Sequence, residues 1–299
     1  MSDGSSSASA TTKLKLKTLL QDRAWTPPLK DGSITSDLVE LDFDDIAEAS
    51  KRFKPMVREM AYDCGELAIV TYLQAKSFGK PLVLLPFVVA GRLQHKNIAY
   101  NTERGVVTPE TLEGKRVGVR TYSQTTGVWV RGILQNDYGV DLGKVTWITF
   151  EDGHLAEHTD PENCVRAPEG TKVADMLLAG ELDAGMLGGN MPKDSRLKTV
   201  IADPDQADKD WVARNNVTPI NHMFVVSKEL CDTNPDAVRA VFDMLAEANR
   251  TAPGPFPVGF EGDWTALELV SLYAYQQGVV SKKFSVDELF AEAAEILHR

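Results

Sequence analysis

Side chains suited to binding an anion cluster between a predicted strand and a predicted helix, in the segment Arg120–Arg131. An apolar strand pattern ends at Val119, and helical spacing begins near Gln124. Free backbone N–H groups at the start of a helix bind carboxylate or phosphate, and neighbouring hydroxyls add donors. In the alternative interpretation, Ser123 only caps the helix and the apolar residues only face the core. The predicted ligand-binding residues are Arg120, Tyr122, Ser123, Gln124, Thr125, Thr126, Trp129 and, more weakly, Arg131.

Acid–base groups and a further arginine occur where three other predicted strands begin or end. Arg92 and His95 follow the buried run Pro81–Ala90; Arg92 can hold a carboxylate through two hydrogen bonds, and His95 can exchange a proton near neutral pH. Glu66 lies at a strand-to-helix turn, and His222 directly precedes a strand. The alternatives are a surface loop for Arg92 and His95, a helix cap for Glu66 and a hinge histidine for His222.

Metal and nucleophile signatures are weak in this sequence. His154 and His158 have the i, i+4 spacing of two ligands on one helix face, with Glu157 beside them, but Leu155 stands where a zincin has its glutamate. We find no G-x-S-x-G elbow, no Walker pattern and no GxGxxG, and none of the three cysteines lies in a nucleophile motif. No cofactor is predicted, and a divalent metal is left open.

The composition of the chain limits the classes of molecule that it can bind. The chain has 299 residues, of which 43% are hydrophobic and 25% charged, and its formal charge is −11. These values are typical of a globular protein that repels nucleic acid and anionic lipid, so any anion must bind in a local pocket of a few arginines. No apolar run reaches the roughly 18 residues of a membrane span. We expect residues 1–12 to be a disordered tail without a secretory signal, and the protein to be cytoplasmic, or periplasmic if a leader was removed.

Strand and helix patterns alternate along the chain, which predicts an α/β fold. The simplest arrangement has two lobes, with residues 13–110 and 215–299 forming the first and residues 111–214 inserted as the second. The chain would then pass between lobes near residues 105–115 and 205–220, leaving a cleft of the kind that binds ligands. The polar segment Gly153–Gly170 is interpreted as a surface excursion.

Three segments together resemble the 4,5-dihydroxyphthalate decarboxylase family. They are the strand–turn–helix Gly118–Leu134, the upstream Arg92–His95 and the shorter Leu182–Met186, and the resemblance extends over about residues 40–250. That family shares the type II periplasmic-binding-protein fold with the solute receptors of ABC transporters, and the resemblance implies an aromatic acid bound in the interdomain cleft. The sequence departs from the family at Leu93-Gln94, where an aromatic residue is usual, and at Gly153–Gly170.

Loss of CO₂ from an aromatic ring without an organic cofactor requires an electron-rich ring and a proton donor. A hydroxyl para to the carboxylate supplies the electrons when it is ionised or hydrogen-bonded to a base. Under this hypothesis Arg92 and the helix start at Ser123–Thr126 anchor carboxylates, and His95 protonates the ring carbon. Glu66 or His222 then binds the phenol, and the ring wall is Trp129 or Tyr122.

Two other functions remain open from the sequence. A solute-binding protein of the ABC-transporter type would hold an aromatic acid or other small anion without reacting, and a ligand-sensing module would do neither transport nor catalysis. The lack of a recognisable leader favours the enzyme. A role in phthalate degradation is what the family resemblance implies. A homo-oligomer is left open.

Overall fold

The computed structural model describes residues 12–188 and 191–298. The predicted disordered tail, apart from Thr12, lies outside the described residues, and so does Gly189. No helix within the described ranges is both long and apolar enough to span a membrane.

The first sheet has five strands in the order β2-β1-β3-β11-β4. β1 pairs in parallel with β2 and β3, while β11 runs antiparallel between β3 and β4. Strand β3 and most of β4 are buried on both faces, which explains the continuous apolar sequence of β4. The strands are β1 (Leu14–Leu19), β2 (Val39–Phe43), β3 (Cys64–Ala68), β4 (Leu82–Gly91) and β11 (Ile220–Ser227).

The second sheet has six strands in the order β10-β5-β9-β6-β7-β8. β5 is antiparallel to β9 and β10, and the remaining pairs are parallel. Its strands are β5 (Ile98–Asn101), β6 (Arg116–Val119), β7 (Thr146–Thr149), β8 (Cys164–Arg166), β9 (Ala184–Met186) and β10 (Leu197–Thr199).

Helices cover both sheets and account for most of the remaining regular structure. In chain order they are α1 (Pro27–Lys30), α2 (Phe53–Arg58), α3 (Ile69–Ser77), α4 (Thr125–Tyr138), α5 (Val173–Ala179), α6 (Pro204–Asn215), α7 (Lys228–Thr233), α8 (Pro235–Thr251), α9 (Thr265–Gln276) and α10 (Val286–Ile296).

The two sheets confirm the predicted two-lobed α/β fold. The chain passes from the first sheet to the second between Gly91 and Ile98, and returns between Thr199 and Ile220. The first passage is earlier than the predicted residues 105–115, because β5 is buried and pairs only with strands of the second sheet. The exact lobe limits remain a prediction.

Three segments differ from what their local sequence pattern indicates. The helical spacing of the apolar residues from Asp44 to Met60 would suit one helix, but the helix there is the short α2, preceded by a 3-10 turn. The acidic stretch after β10 forms α6, with Asp203 accepting a hydrogen bond from the Gln206 N–H and Pro204 in the first turn. The excursion Gly153–Gly170 contains β8, whose exposed edge position hides any hydrophobic alternation.

Gly132 allows α4 and α9 to pack closely. A Cβ at this position would lie 2.1 Å from a Tyr273 ring carbon, far inside van der Waals contact. Tyr273 is buried and also packs edge-on against Trp129, so its ring has little room to move.

We therefore expect Gly132→Ala to lower the free energy of unfolding by about 1–3 kcal/mol through overpacking. This sign is opposite to the gain of roughly 1 kcal/mol that alanine gives over glycine in an uncrowded helix. Urea unfolding measures it, with Gly254→Ala as the control, because its Cβ would meet nothing closer than 3.5 Å. Equal stability of the two variants would contradict the packing argument.

Candidate active site

A buried carboxylate lies at the centre of the site. The Glu66 side chain on β3 has no exposed surface and accepts hydrogen bonds from the Gln21 N–H at 2.6 Å, Arg23 Nη2 at 2.5 Å and His222 Nδ1 at 2.9 Å. Burial alone would raise the pKa of Glu66, but the hydrogen bond and charge of His222 and the charge of Arg23 outweigh it and lower the pKa. The carboxylate is therefore ionised and fully hydrogen-bonded.

The backbone around Glu66 depends on a glycine. Gly65 has φ +153°, and a Cβ there would lie 2.4 Å from the Leu19 carbonyl oxygen on the neighbouring strand β1. Only glycine permits this approach of β1 and β3, which brings the loop carrying Gln21 and Arg23 onto the carboxylate.

His222 on β11 connects the carboxylate to the cleft. It pairs with Ala68 at the end of β3, so its side chain lies near the start of α3. With Nδ1 bound to Glu66, the ring has a fixed orientation and presents Nε2, and its side chain is 22% exposed. The Phe53 ring packs edge-on against the imidazole with 5.2 Å between centroids.

The start of α4 lies across from these residues, in the second lobe. Its N-cap residue, Gln124, provides no side-chain cap, so the first-turn N–H groups keep their capacity to bind an anion. Thr126 Oγ1 accepts a hydrogen bond at 3.0 Å from Nη2 of Arg92, which lies on the first passage between sheets. Thr125 Oγ1 accepts one from the Val70 N–H of α3 at 3.3 Å, which places the starts of α3 and α4 side by side.

The segment after β7 adds a second imidazole to the site. His154 Nδ1 lies 2.7 Å from Thr71 Oγ1, and its ring packs edge-on against Phe53 with 5.6 Å between centroids. Arg58 holds the backbone of this segment by donating from Nε to the His154 carbonyl at 2.7 Å and from Nη2 to the Gly153 carbonyl at 2.8 Å. His154 and His222 thus approach the same phenylalanine ring from different lobes.

Positive charge surrounds His154. Burial, followed by the charges of Arg120, Lys54, Arg58 and His222, lowers the pKa of His154 to about 3. His154 is therefore neutral at neutral pH. Arg120 also lies 3.6 Å from Glu151, with 35% of its side chain exposed.

The structure places His95 outside this site, so the proton-donor role predicted for it is not supported. Its side chain is 2% exposed, and Nδ1 lies 2.5 Å from Asp208 on α6. The backbone N–H of His95 also donates to the same carboxylate. The pair joins the two passages between sheets instead of facing the cleft.

Three residues that were predicted to contact the ligand, Tyr122, Trp129 and Arg131, are core residues in the structure. Arg131 is fully buried, donates to Gln277 and to the Tyr122 carbonyl, and stacks 3.9 Å from the Tyr122 ring centroid. Trp129 donates to the Ile220 carbonyl at 2.7 Å and has no exposed surface. Because protein groups surround all three, they form neither the anchor nor the ring wall expected from helical spacing. Ser123 is 5% exposed and lies beside Gly153.

The sequence analysis missed Arg23, Phe53, Lys54 and Arg58. Arg23 is 43 residues from Glu66, and Arg58 is 96 residues from His154. No local spacing indicates such pairs.

The residues that gave the weak metal signature lie beside other side chains. Glu157 binds Lys80 at 2.5 Å, and His158 lies 3.4 Å from Asp160. Across the described ranges we find no group of three or more His, Cys, Asp or Glu side chains placed to hold a metal ion.

The two sheets, the double passage and the cleft residues define a protein of the type II periplasmic-binding-protein fold. The aliphatic sulphonate binding protein SsuA from Escherichia coli superposes with a TM-score of 0.58 at 11% identity, covering 93% of this chain and 92% of that one. A Candida albicans gene product with the generic periplasmic binding protein fold gives 0.53 at 12% identity, covering 96% and 95%. The desulfurization enzyme DSZB gives 0.52 at 12%, covering 95% and 100%. These identities show the fold alone.

Sequence relatives identify the family. A 4,5-dihydroxyphthalate decarboxylase from Comamonas testosteroni is 30% identical over 237 residues, covering 75% of this chain and 71% of that protein. Another from Pseudomonas putida is 30% identical over 212 residues, covering 67% and 81%. No family model matches the chain. The chain belongs to the 4,5-dihydroxyphthalate decarboxylase family, a family of carboxy-lyases, as its motifs predicted.

His154 gives the stability a defined pH dependence. Its pKa is about 3 in the folded protein against 6.5 as the ordinary value, so between these pH values the unfolded chain binds more protons at this residue. The neutral His154 imidazole therefore makes its full contribution to the free energy of unfolding above about pH 6.5, and this contribution is lost as the pH falls towards 3. We expect His154→Asn to flatten the stability curve in this window by up to about 1.4 kcal/mol per pH unit.

Urea unfolding at several pH values between 4 and 7 measures this slope. Phe53→Leu is the control, because it removes a ring that contacts the imidazole without removing a titrating group. Parallel curves for His154→Asn and the wild type would show that the imidazole is not held neutral.

Proposed function

We propose that the chain decarboxylates a hydroxylated aromatic carboxylic acid of the 4,5-dihydroxyphthalate type in the cleft between its lobes. The observation that carries the proposal is the hydrogen-bonded series Arg23–Glu66–His222, which ends at the cleft. A buried, ionised glutamate that orients an imidazole is an arrangement suited to moving a proton. The names of the 30%-identical relatives support the same reaction.

Electrostatics favours a substrate with more than one carboxylate. Arg92, Lys54, Arg58 and Arg120 bring positive charge to the cleft of a chain whose formal charge is −11. Among the described residues no carboxylate lies within 4 Å of the Arg92 guanidinium nitrogens, so this side chain is available to an anion. One carboxylate would bind Arg92 and the first turn of α4, and the other would face Arg120.

The reaction needs one proton for each CO₂ released. The protonated imidazole of His222 gives its Nε2 proton to the ring carbon that bears the leaving carboxylate, and Glu66 stabilises the charge that the imidazole carries beforehand. The bond between that carbon and the carboxylate then breaks, and its electron pair restores the aromatic ring. CO₂ leaves, the product keeps the new C–H bond, and solvent returns a proton to His222. This role moves the proton donor from His95 to His222.

Replacement of the proton donor tests the proposal. We expect His222→Asn to lower kcat by about 10²–10⁴-fold, the usual contribution of a general acid, with a smaller effect on KM. Glu66→Gln should lower kcat less, because it keeps the hydrogen-bonding shape and removes the charge. CO₂ release from 4,5-dihydroxyphthalate and related hydroxybenzoates is the measurement.

His298→Asn is the matched control, since this histidine lies beyond α10 and far along the chain from the cleft residues. Binding of the whole panel without any CO₂ release would contradict decarboxylation and would favour the solute-binding function. Unchanged kcat in His222→Asn would leave the reaction in place and remove His222 as its proton donor.

The anion anchor has a separate test. We expect Arg92→Gln to weaken binding of the substrate by about 10- to 100-fold, which corresponds to one charge-assisted hydrogen bond. Isothermal titration calorimetry with a phthalate measures the affinity. Arg196→Gln is the control, because Arg196 directly precedes the edge strand β10 and already forms an ion pair with Asp194 at 2.8 Å. An affinity that is equal in both variants would dismiss Arg92 as the anchor.

A further inference from the structure

The segment Gly153–His158 crosses from the second lobe and is fixed to the first. Arg58 of α2 holds the Gly153 and His154 carbonyls, Thr71 of α3 contacts the imidazole, and Lys80 binds Glu157 at 2.5 Å. A loop without regular structure is usually mobile unless such contacts hold it. These contacts therefore place one particular side chain, His154, at a defined position.

One nitrogen of His154 has a partner among the residues that the structure describes, and the other has none. Nδ1 lies 2.7 Å from the Thr71 hydroxyl, and among the described residues no polar group binds Nε2. The residue is 9% exposed, so Nε2 can reach a ligand. When Nδ1–H donates to Thr71, Nε2 keeps its lone pair and is a hydrogen-bond acceptor.

His154 and His222 make a pair of imidazoles in contrasting surroundings. Both rings stand nearly perpendicular to Phe53, with interplanar angles of 82° and 83°. His222 is bound to a carboxylate, whereas His154 faces Arg120, Lys54 and Arg58. Two titratable groups whose environments differ in this way usually divide the acid and base roles of a reaction between them.

Resting on the decarboxylase function proposed above, we propose that His154 Nε2 accepts the proton of the ring hydroxyl para to the leaving carboxylate, and thereby makes that hydroxyl a requirement of the substrate. As His222 protonates the ring carbon, the hydroxyl gives its proton to His154 and the ring passes through a neutral dienone. Loss of CO₂ leaves a phenolate, which takes the proton back from His154. The net reaction still consumes a single proton.

Because cationic side chains surround His154, its strength as a base depends on whether an anionic substrate is bound. In the free protein, burial and the charges of Arg120, Lys54, Arg58 and His222 all oppose a proton on His154. A bound dicarboxylate neutralises part of that positive charge and makes protonation of the imidazole less costly. The base therefore becomes effective when the anion sites are filled.

The test uses 4-hydroxy-5-nitrophthalate, a dicarboxylate probe in which one carboxylate is para to a hydroxyl whose phenolate is coloured. Its apparent hydroxyl pKa is read from absorbance while it is bound to the full chain. We expect the bound hydroxyl to ionise at a pH at least about one unit lower in the wild type than in His154→Asn, a tenfold effect. Thr71→Val keeps the imidazole but loses its orientation, and should give an intermediate shift.

Turnover supplies the second readout. His154→Asn should lower kcat with 4,5-dihydroxyphthalate by about 10²–10⁴-fold while leaving KM within a few-fold. His158→Asn is the control on the same loop, because its Nε2 lies 3.4 Å from Asp160 and not against Phe53. We expect its kcat and its bound-probe titration to match the wild type.

The outcomes separate this inference from the proposed function. Equal probe titration in wild type and His154→Asn, with normal CO₂ release by both, contradicts the role of His154 and leaves the decarboxylase intact. A wild-type chain that binds the probe with a His154-dependent titration but releases no CO₂ supports His154 as the hydroxyl partner and contradicts the reaction. A chain that binds none of these carboxylates contradicts both.

Discussion

The buried charge of Glu66 is the constraint on which the site depends. An ionised carboxylate without solvent is stable only when its oxygens are hydrogen-bonded and its charge is compensated. Glu66 meets both conditions by drawing in the loop after β1, through Gln21 and Arg23, and the strand β11, through His222. One carboxylate therefore orders three chain segments and fixes the orientation of the imidazole that faces the cleft.

A net charge of −11 and an anion site are compatible because screening makes electrostatics local. At physiological salt the Debye length is about 8 Å, so acidic side chains on the outer surface act weakly on the cleft. In the proposed complex, Arg92, Arg120 and the start of α4 lie closest to the bound carboxylates and dominate their environment. The distant negative charge still discourages polyanions, which favours a small substrate.

Hydrophobic patterning predicted much of the fold, because strands such as β4 and helices such as α4 show their burial in their own sequence. It failed for α6, whose residues are mostly polar and whose only start signal was Asp203 followed by proline. In the site, Arg92 and Thr126 were both predicted and do meet. Arg23 and Arg58 were missed, and His154 was weighed only for a weak metal signature, because their partners lie 43 to 96 residues away in the chain.

The shared fold does not by itself distinguish binding from reaction. Two lobes with converging helix starts suffice to hold an anion, and the structural neighbours include both a sulphonate-binding protein and a desulfurization enzyme. Chemistry requires proton donors and acceptors fixed to within a fraction of an ångström, which a loop rarely achieves unaided. Here Glu66 fixes one imidazole from within a sheet, and Arg58 with Thr71 fixes the other from across the cleft. In a receptor that must open, such contacts between the lobes would hinder the motion. In an enzyme, they hold the two imidazoles at fixed positions against the Phe53 ring.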